Sequence, residues 1–168
     1  MHHMHYHRPT TVADVIKLMG QHTDDKLIAG GQSILPSMRL GLLSVEGFID
    51  LSGITELQGI RVDGNSVRIG AMTTHATVAA SKDVRARIPA LAALAEGIGD
   101  RQVRNRGTIG GSVANSDPAA CYPAAVLSLN ATIQTNTRQI AADQWFKGLY
   151  ETALTPGEII TAVSFPVA

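Results

Sequence analysis

The chain has 168 residues, 45% of them apolar, with 14 Lys+Arg against 14 Asp+Glu. That is enough to bury one core, it excludes a disordered chain, and its zero net charge asks for neither nucleic acid nor an anionic membrane as partner. A single cysteine, Cys121, excludes an internal disulfide and a cysteine-ligated iron–sulfur or structural zinc site, and it points to a reducing compartment, the cytoplasm.

No apolar run reaches the ~18–20 residues of a membrane span. The N-terminus, Met1 to Pro9, carries histidines at 2, 3, 5 and 7 and no following apolar stretch, so it is not read as a signal peptide. Those histidines could chelate a metal, but a solvated tail altered by cloning is the preferred reading. A helix opens after Thr11, which can cap it with Asp14 three residues on. Val12, Val15, Ile16 and Met19 share its inner face, and Gly20 helps to end it. Lys26–Ala29 reads as a short strand running into Gly30-Gly31-Gln32-Ser33. A short helix over 33–40 and a strand over 47–51 follow.

Ile60-Arg61-Val62 and Val67-Arg68-Ile69 alternate around Asp63-Gly64-Asn65-Ser66, a hairpin signal. Short helices are expected over 74–80 and from Pro89, the latter with Leu91, Leu94, Ala95 and Ile98 inward. Residues 100–116 are polar, glycine-bearing and without clear periodicity. Asp117-Pro118 then looks like a cap and first-turn proline of a helix through Val126, Leu127 and Leu129, with a restart at Pro123 left open. Residues 131–135 and 138–141 suggest a second hairpin, and 159–165 a last strand stopped by Pro166. The pattern is α+β. A boundary near residue 54 divides residues 1–54, an α/β lobe, from residues 55–168, a second α+β lobe.

Two glycine pairs followed by a hydroxyl residue draw attention: Gly30-Gly31-Gln32-Ser33, and Thr108-Ile109-Gly110-Gly111-Ser112. Adjacent glycines let backbone N–H groups converge on an anion such as a diphosphate. Either pair alone reads first as a tight turn, and the two together favour a shared ligand. Neither is a G-x-G-x-x-G fingerprint or a P-loop. Arg101, Arg104 and Arg106 precede the second pair, either as a solvated face or as a diphosphate or partner contact. His75 and Cys121 offer no clear nucleophilic set, and no Ser sits in a G-x-S-x-G elbow.

Tyr6-His7-Arg8-Pro9, Ala29 to Ser33, Ile69 to Thr74, Arg104 to Ser112 and Ala114 to Pro118 together resemble the FAD-binding medium subunit of molybdenum hydroxylases, the carbon monoxide and xanthine dehydrogenase family. The resemblance runs in order from residue 6 to Val167. It implies the two-lobed FAD-binding fold of the vanillyl-alcohol oxidase type, with FAD between the lobes. Ala29, Gly30, Gly31, Gln32 and Ser33 would wrap the diphosphate with Thr108, Ile109, Gly110, Gly111 and Ser112. Ile98 and Ile160 would lie against the cofactor. The resemblance gives this chain no metal. It places the molybdenum cofactor in a large partner subunit and two [2Fe–2S] clusters in a small one, with electrons leaving FAD to an external acceptor.

Two departures stand out. Members of the family carry Asp, a cofactor contact, where this chain has Cys121. They also continue into a C-terminal α+β domain beyond the position of Ala168, so truncation, proteolysis, a split gene and a minimal relative all stay open. Apolar surface near 159–167 is therefore expected to be uncovered and to favour self-association of the isolated chain. A stand-alone flavin-dependent reductase or oxidase of the same fold, and an FAD-free scaffold, are the competing readings.

Overall fold

The computed structural model describes residues 4–167. The first sheet is small and parallel. Its strands β1 (His5–His7), β2 (Lys26–Ile28) and β3 (Gly47–Asp50) lie in the order β1-β3-β2. Parallel neighbours need crossovers, and α1 (Val12–Gln21) and α2 (Ile34–Arg39) supply them. The N-cap of α1 is as expected: Thr11 Oγ1 accepts from Asp14 N and donates to Asp14 Oδ2. The solvated-tail reading of the N-terminus is corrected at His5 and His7, which are paired to Gly47 and Ile49 in β1. His2 and His3 lie outside the described residues.

The second sheet is antiparallel, with five strands in the order β4-β5-β10-β6-β7. Both expected hairpins form. The first joins β4 (Ile60–Asp63) to β5 (Ser66–Gly70) through a two-residue loop in which Gly64 has φ +58°, an angle glycine adopts freely. The second joins β6 (Thr132–Thr135) to β7 (Gln139–Ala141). The last long strand, β10 (Ile160–Pro166), sits between β5 and β6. That placement overturns the expected apolar patch. Ile159, Ile160, Ala162, Val163 and Phe165 are all buried, because β10 has a neighbour on each edge and helices over its inner face.

Helices α3 (His75–Ala80), α4 (Lys82–Arg87) and α5 (Pro89–Glu96) pack together against this sheet. The stretch 100–116, expected to be irregular, holds two short helices, α6 (Arg101–Arg106) and α7 (Ile109–Asn115). Each has a side-chain cap: Asp100 accepts from Val103 N, and Thr108 from Gly111 N. Asp117-Pro118 does not start a helix. Asp117 Oδ1 accepts from Ala119 N in a local turn, and α8 (Cys121–Ser128) begins later with Pro123 inside its first turn. The chain adds α9 (Ala142–Trp145) and a small hairpin of β8 (Phe146–Gly148) and β9 (Glu151–Thr152).

The main core joins the antiparallel sheet to α3–α5 and α7–α9, with Trp145, Tyr122, Phe165 and Ile133 fully enclosed. Trp145 Nε1 donates to Val113 O at 3.2 Å, which satisfies its one polar atom inside that core. A second cluster lies under the parallel sheet. It joins Val15, Ile49, Leu51 and Ile54 to Leu57, Met72 and Ile159, so apolar packing continues across residue 54. Among the described residues, no helix is long and apolar enough to cross a membrane.

Candidate functional site

The two glycine motifs meet. Loop 29–33 leaves β2, and the α6–α7 turn lies directly against it. A Cβ built on Gly30 would collide with the Arg106 carbonyl and lie 2.7 Å from Gly107 Cα. A Cβ on Gly111 would stand 3.5 Å from the Ala29 Cβ. The glycines therefore do two jobs that the sequence does not separate. Gly30 and Gly110 allow close packing against the backbone of Arg106 and Ala71, and Gly111 leaves room for Thr108 Oγ1. Gly31 has φ +73°, where other residues are strained.

The loops differ in what they leave free. In the second, Ile109 N donates to Thr73 O, Gly110 N to Ala71 O, Gly111 N to Thr108 Oγ1 and Ser112 N to Thr108 O. Those four amides are taken, so the expectation that all of Thr108 to Ser112 wraps a diphosphate is corrected for its backbone donors. In the first, no described residue accepts from the N–H of Gly31, Gln32 or Ser33, and the Ser33 hydroxyl makes no capping bond. Gln32 Nε2 folds back to Gly30 O at 3.0 Å. Gln32 and Ser33 are exposed. Three consecutive free amides beside a free hydroxyl suit a multi-oxygen anion. The residues present fit a diphosphate at the first loop, with the second loop as its support.

The other expected residues divide. Ile109 and Ile160 are enclosed in the main core, where they hold α7 and β10 in place. Ile98 is half-buried beyond the end of α5, and its carbonyl accepts from Arg104 Nη1 at 3.1 Å. Arg104 also bonds Gly99 O at 3.0 Å, so it fixes this turn, while Arg101 and Arg106 are exposed. Cys121 is exposed and opens α8, whose N-cap Ala120 provides no side-chain bond. An Asp at 121 is expected to do two things. A regained hydrogen bond to a charged acceptor is worth about 1.5–3 kcal/mol, or about tenfold in FAD affinity. A negative charge in the first turn adds about 0.3–1 kcal/mol of stability. Flavin titration and thermal melts of Cys121→Asp check both.

The sequence gives no positional hint of His75 under the second loop. His75 N donates to Gly107 O at 3.0 Å, and Thr74 bridges to Thr108. The imidazole fills the space a Gly107 side chain would need, with the Tyr122 ring 5.2 Å away, centroid to centroid. No described residue hydrogen-bonds His75 Nδ1 or the Tyr122 hydroxyl. Burial pushes the His75 pKa down to about 4 and the Tyr122 phenol well above its ordinary value.

The His75 shift makes a pH prediction. The unfolded chain gains a proton near pH 6.5 that the folded chain refuses until about pH 4. Stability from the neutral imidazole is full above pH 6.5 and is lost as pH falls through that window. The loss is on the order of 2–3 kcal/mol. His75→Gln is expected to flatten the fall in melting temperature between pH 7 and 5. An unchanged slope would show that His75 does not carry it.

Comparison with known proteins identifies the family. Residues 2–168 match the family described as the FAD binding domain in molybdopterin dehydrogenase. The carbon monoxide dehydrogenase medium chain of Hydrogenophaga pseudoflava is 42% identical over 96% of this chain and 58% of its own length. The nicotine 6-hydroxylase medium subunit of Paenarthrobacter nicotinovorans is 40% identical, again over 96% and 58%. Among solved structures, carbon monoxide dehydrogenase from H. pseudoflava superposes with TM-score 0.95 at 41% identity, over 98% of this chain and 59% of that one. Quinoline 2-oxidoreductase from Pseudomonas putida also gives 0.95, at 32% identity, over 99% and 60%. This chain thus spans somewhat over half the length of these relatives. With the fold, the paired glycine loops and the match over residues 2–168 in agreement, the chain belongs to the family of FAD-binding domains of molybdopterin dehydrogenases, and its α+β architecture is theirs.

Proposed function

We propose that this chain is the FAD-binding part of the medium subunit of a molybdenum-containing hydroxylase or dehydrogenase. Substrate is oxidised at a molybdenum centre in a large partner subunit. Electrons pass through [2Fe–2S] clusters of a small partner subunit to FAD held here, and on to an external acceptor. The flavin, when bound, supplies two-electron and one-electron redox chemistry. This chain's own residues position it. The amides of Gly31, Gln32 and Ser33 receive the diphosphate, and the α6–α7 turn braces that loop through Gly30 and Gly107. The observation that carries the reading is the run of free amides in the first loop, next to a second loop whose amides from Ile109 to Ser112 are engaged.

The test uses co-expression with the iron–sulfur and molybdenum chains of the same enzyme. A stable complex containing iron, molybdenum and FAD is expected, with the flavin band bleaching when the clusters are reduced. A chain that stays alone and turns over with a soluble reductant would instead be a stand-alone flavin enzyme of the same fold.

A further inference from the structure

A second group of donor side chains gathers away from both glycine loops, on the parallel sheet. His5 opens β1 and His7 closes it. His22 ends α1, and Asp25 immediately precedes β2. One ligand atom each from His5, His22 and Asp25 lies within 4.8 Å of the other two. His5 Nδ1 is 3.5 Å from Asp25 Oδ1, and His7 Nε2 is 3.8 Å from Asp25 Oδ2. The His7 and His5 rings stand 4.5 and 5.5 Å from the His22 ring, centroid to centroid.

The Asp25 side chain is only 2% exposed. Yet no described residue hydrogen-bonds its Oδ2, nor His7 Nε2. An enclosed carboxylate oxygen without a donor is strongly unfavourable unless a cation answers it. Gly47 on β3 makes room for the group: a Cβ there would lie 2.5 Å from both Asp25 Oδ1 and His5 Cβ. His5 and the Gly47 gap thus flank Oδ1 while His7 flanks the unmatched Oδ2, so separate segments converge on one enclosed carboxylate.

We propose that His5, His22 and Asp25 form a binding site for a divalent first-row cation of the zinc class, with His7 as the outer partner of Asp25. Imidazole nitrogen and carboxylate oxygen are donors that such ions accept. Metal–ligand bonds of about 2.0–2.2 Å in a tetrahedron set donors roughly 3.3–3.6 Å apart. The His5–Asp25 pair already has that separation, and the remaining donor needs only a turn of the half-buried His22 ring. His7, beside the second carboxylate oxygen, is placed to orient it. The bound ion neutralises Asp25 and ties together β1, the end of α1 and the start of β2. Its role is a clamp on the first sheet, separate from the flavin loops.

Zinc titration of the purified chain against a chromogenic chelator tests this, together with melts with and without zinc. One Zn²⁺ per chain and a raised Tm are expected. Asp25→Asn and His22→Gln are each expected to weaken binding at least tenfold and to remove the Tm rise. The double variant His2→Ala/His3→Ala is expected to bind as the parent does. Substituted Co²⁺ is expected to show tetrahedral d–d bands that vanish in His22→Gln. If Asp25→Asn does not fold, His22→Gln decides alone, because His22 is only half-buried. Parent-like affinity in His22→Gln, loss of binding in the His2/His3 variant, or no stoichiometric zinc uptake would each overturn the site, leaving tail chelation or a plain histidine–carboxylate contact.

Discussion

Glu158→Ala is expected to destabilise the chain by about 1–3 kcal/mol, the range for leaving buried hydrogen-bond donors unsatisfied, while the half-exposed Arg138 regains water. Glu158 is enclosed, and its two oxygens accept six hydrogen bonds. The donors are Thr135 Oγ1 at 2.7 Å, Thr137 Oγ1 at 3.0 Å, Arg138 Nε at 2.8 Å and Nη2 at 2.9 Å, and Thr155 N and Oγ1 at 3.0 Å each. Arg138 also reaches Ala153 O at 2.6 Å. One carboxylate thus pins the β6–β7 turn to the loop that feeds β10, the central strand. The Arg138 guanidinium, backed by the threonine donors, holds the Glu158 carboxyl well below the usual carboxylate range. Its contribution is present above about pH 4.5 and fades as pH falls below it, a lower window than that of His75. Chemical denaturation of the variant checks the figure. A loss under about 1 kcal/mol would mean that the network is not what fixes β10.

Gly30→Ala is expected to abolish detectable FAD binding and to lower stability as well. The new methyl would overlap the Arg106 carbonyl and sit 2.7 Å from Gly107 Cα, so backbone, not a flexible side chain, must move. Overpacking of this kind costs about 1–3 kcal/mol and separates the loops. Gly20→Ala is the matched control. It lies in α1 with nothing within 4 Å of a built Cβ, and it should be neutral or stabilise by about 0.5–1 kcal/mol. Flavin titration and melts of the two variants compare the effects. Equal behaviour would show that the contact between the loops does not matter.

These positions also mark how far the sequence could be read. Hairpins β4–β5 and β6–β7 were legible because alternation and turn residues act over a few positions. The glycine pairs stood out for the same reason. Their division of labour was not legible, since the carbonyls of Ala71 and Thr73 that occupy the second loop's amides come from a distant segment. Helices α6 and α7 escaped because charge and glycine blur the helical period, although the caps Asp100 and Thr108 were visible signals. Strand β1 escaped because three residues, two of them histidine, show no apolar alternation until β3 pairs with them. The burial of 159–165 was hidden because a strand's place in the order of a sheet is set by partners nearly a hundred residues away.

Loop 29–33 is expected to hold the diphosphate of FAD. The direct measurement is fluorescence titration of the chain with FAD and with FMN, which lacks that diphosphate. One FAD per chain is expected, with FMN binding weaker by at least tenfold and an FAD preference that disappears in Gly31→Val, where φ is +73° and a Cβ would press on Leu35 at 2.9 Å. Equal affinity for the two flavins, or an FAD preference that survives Gly31→Val, would contradict it.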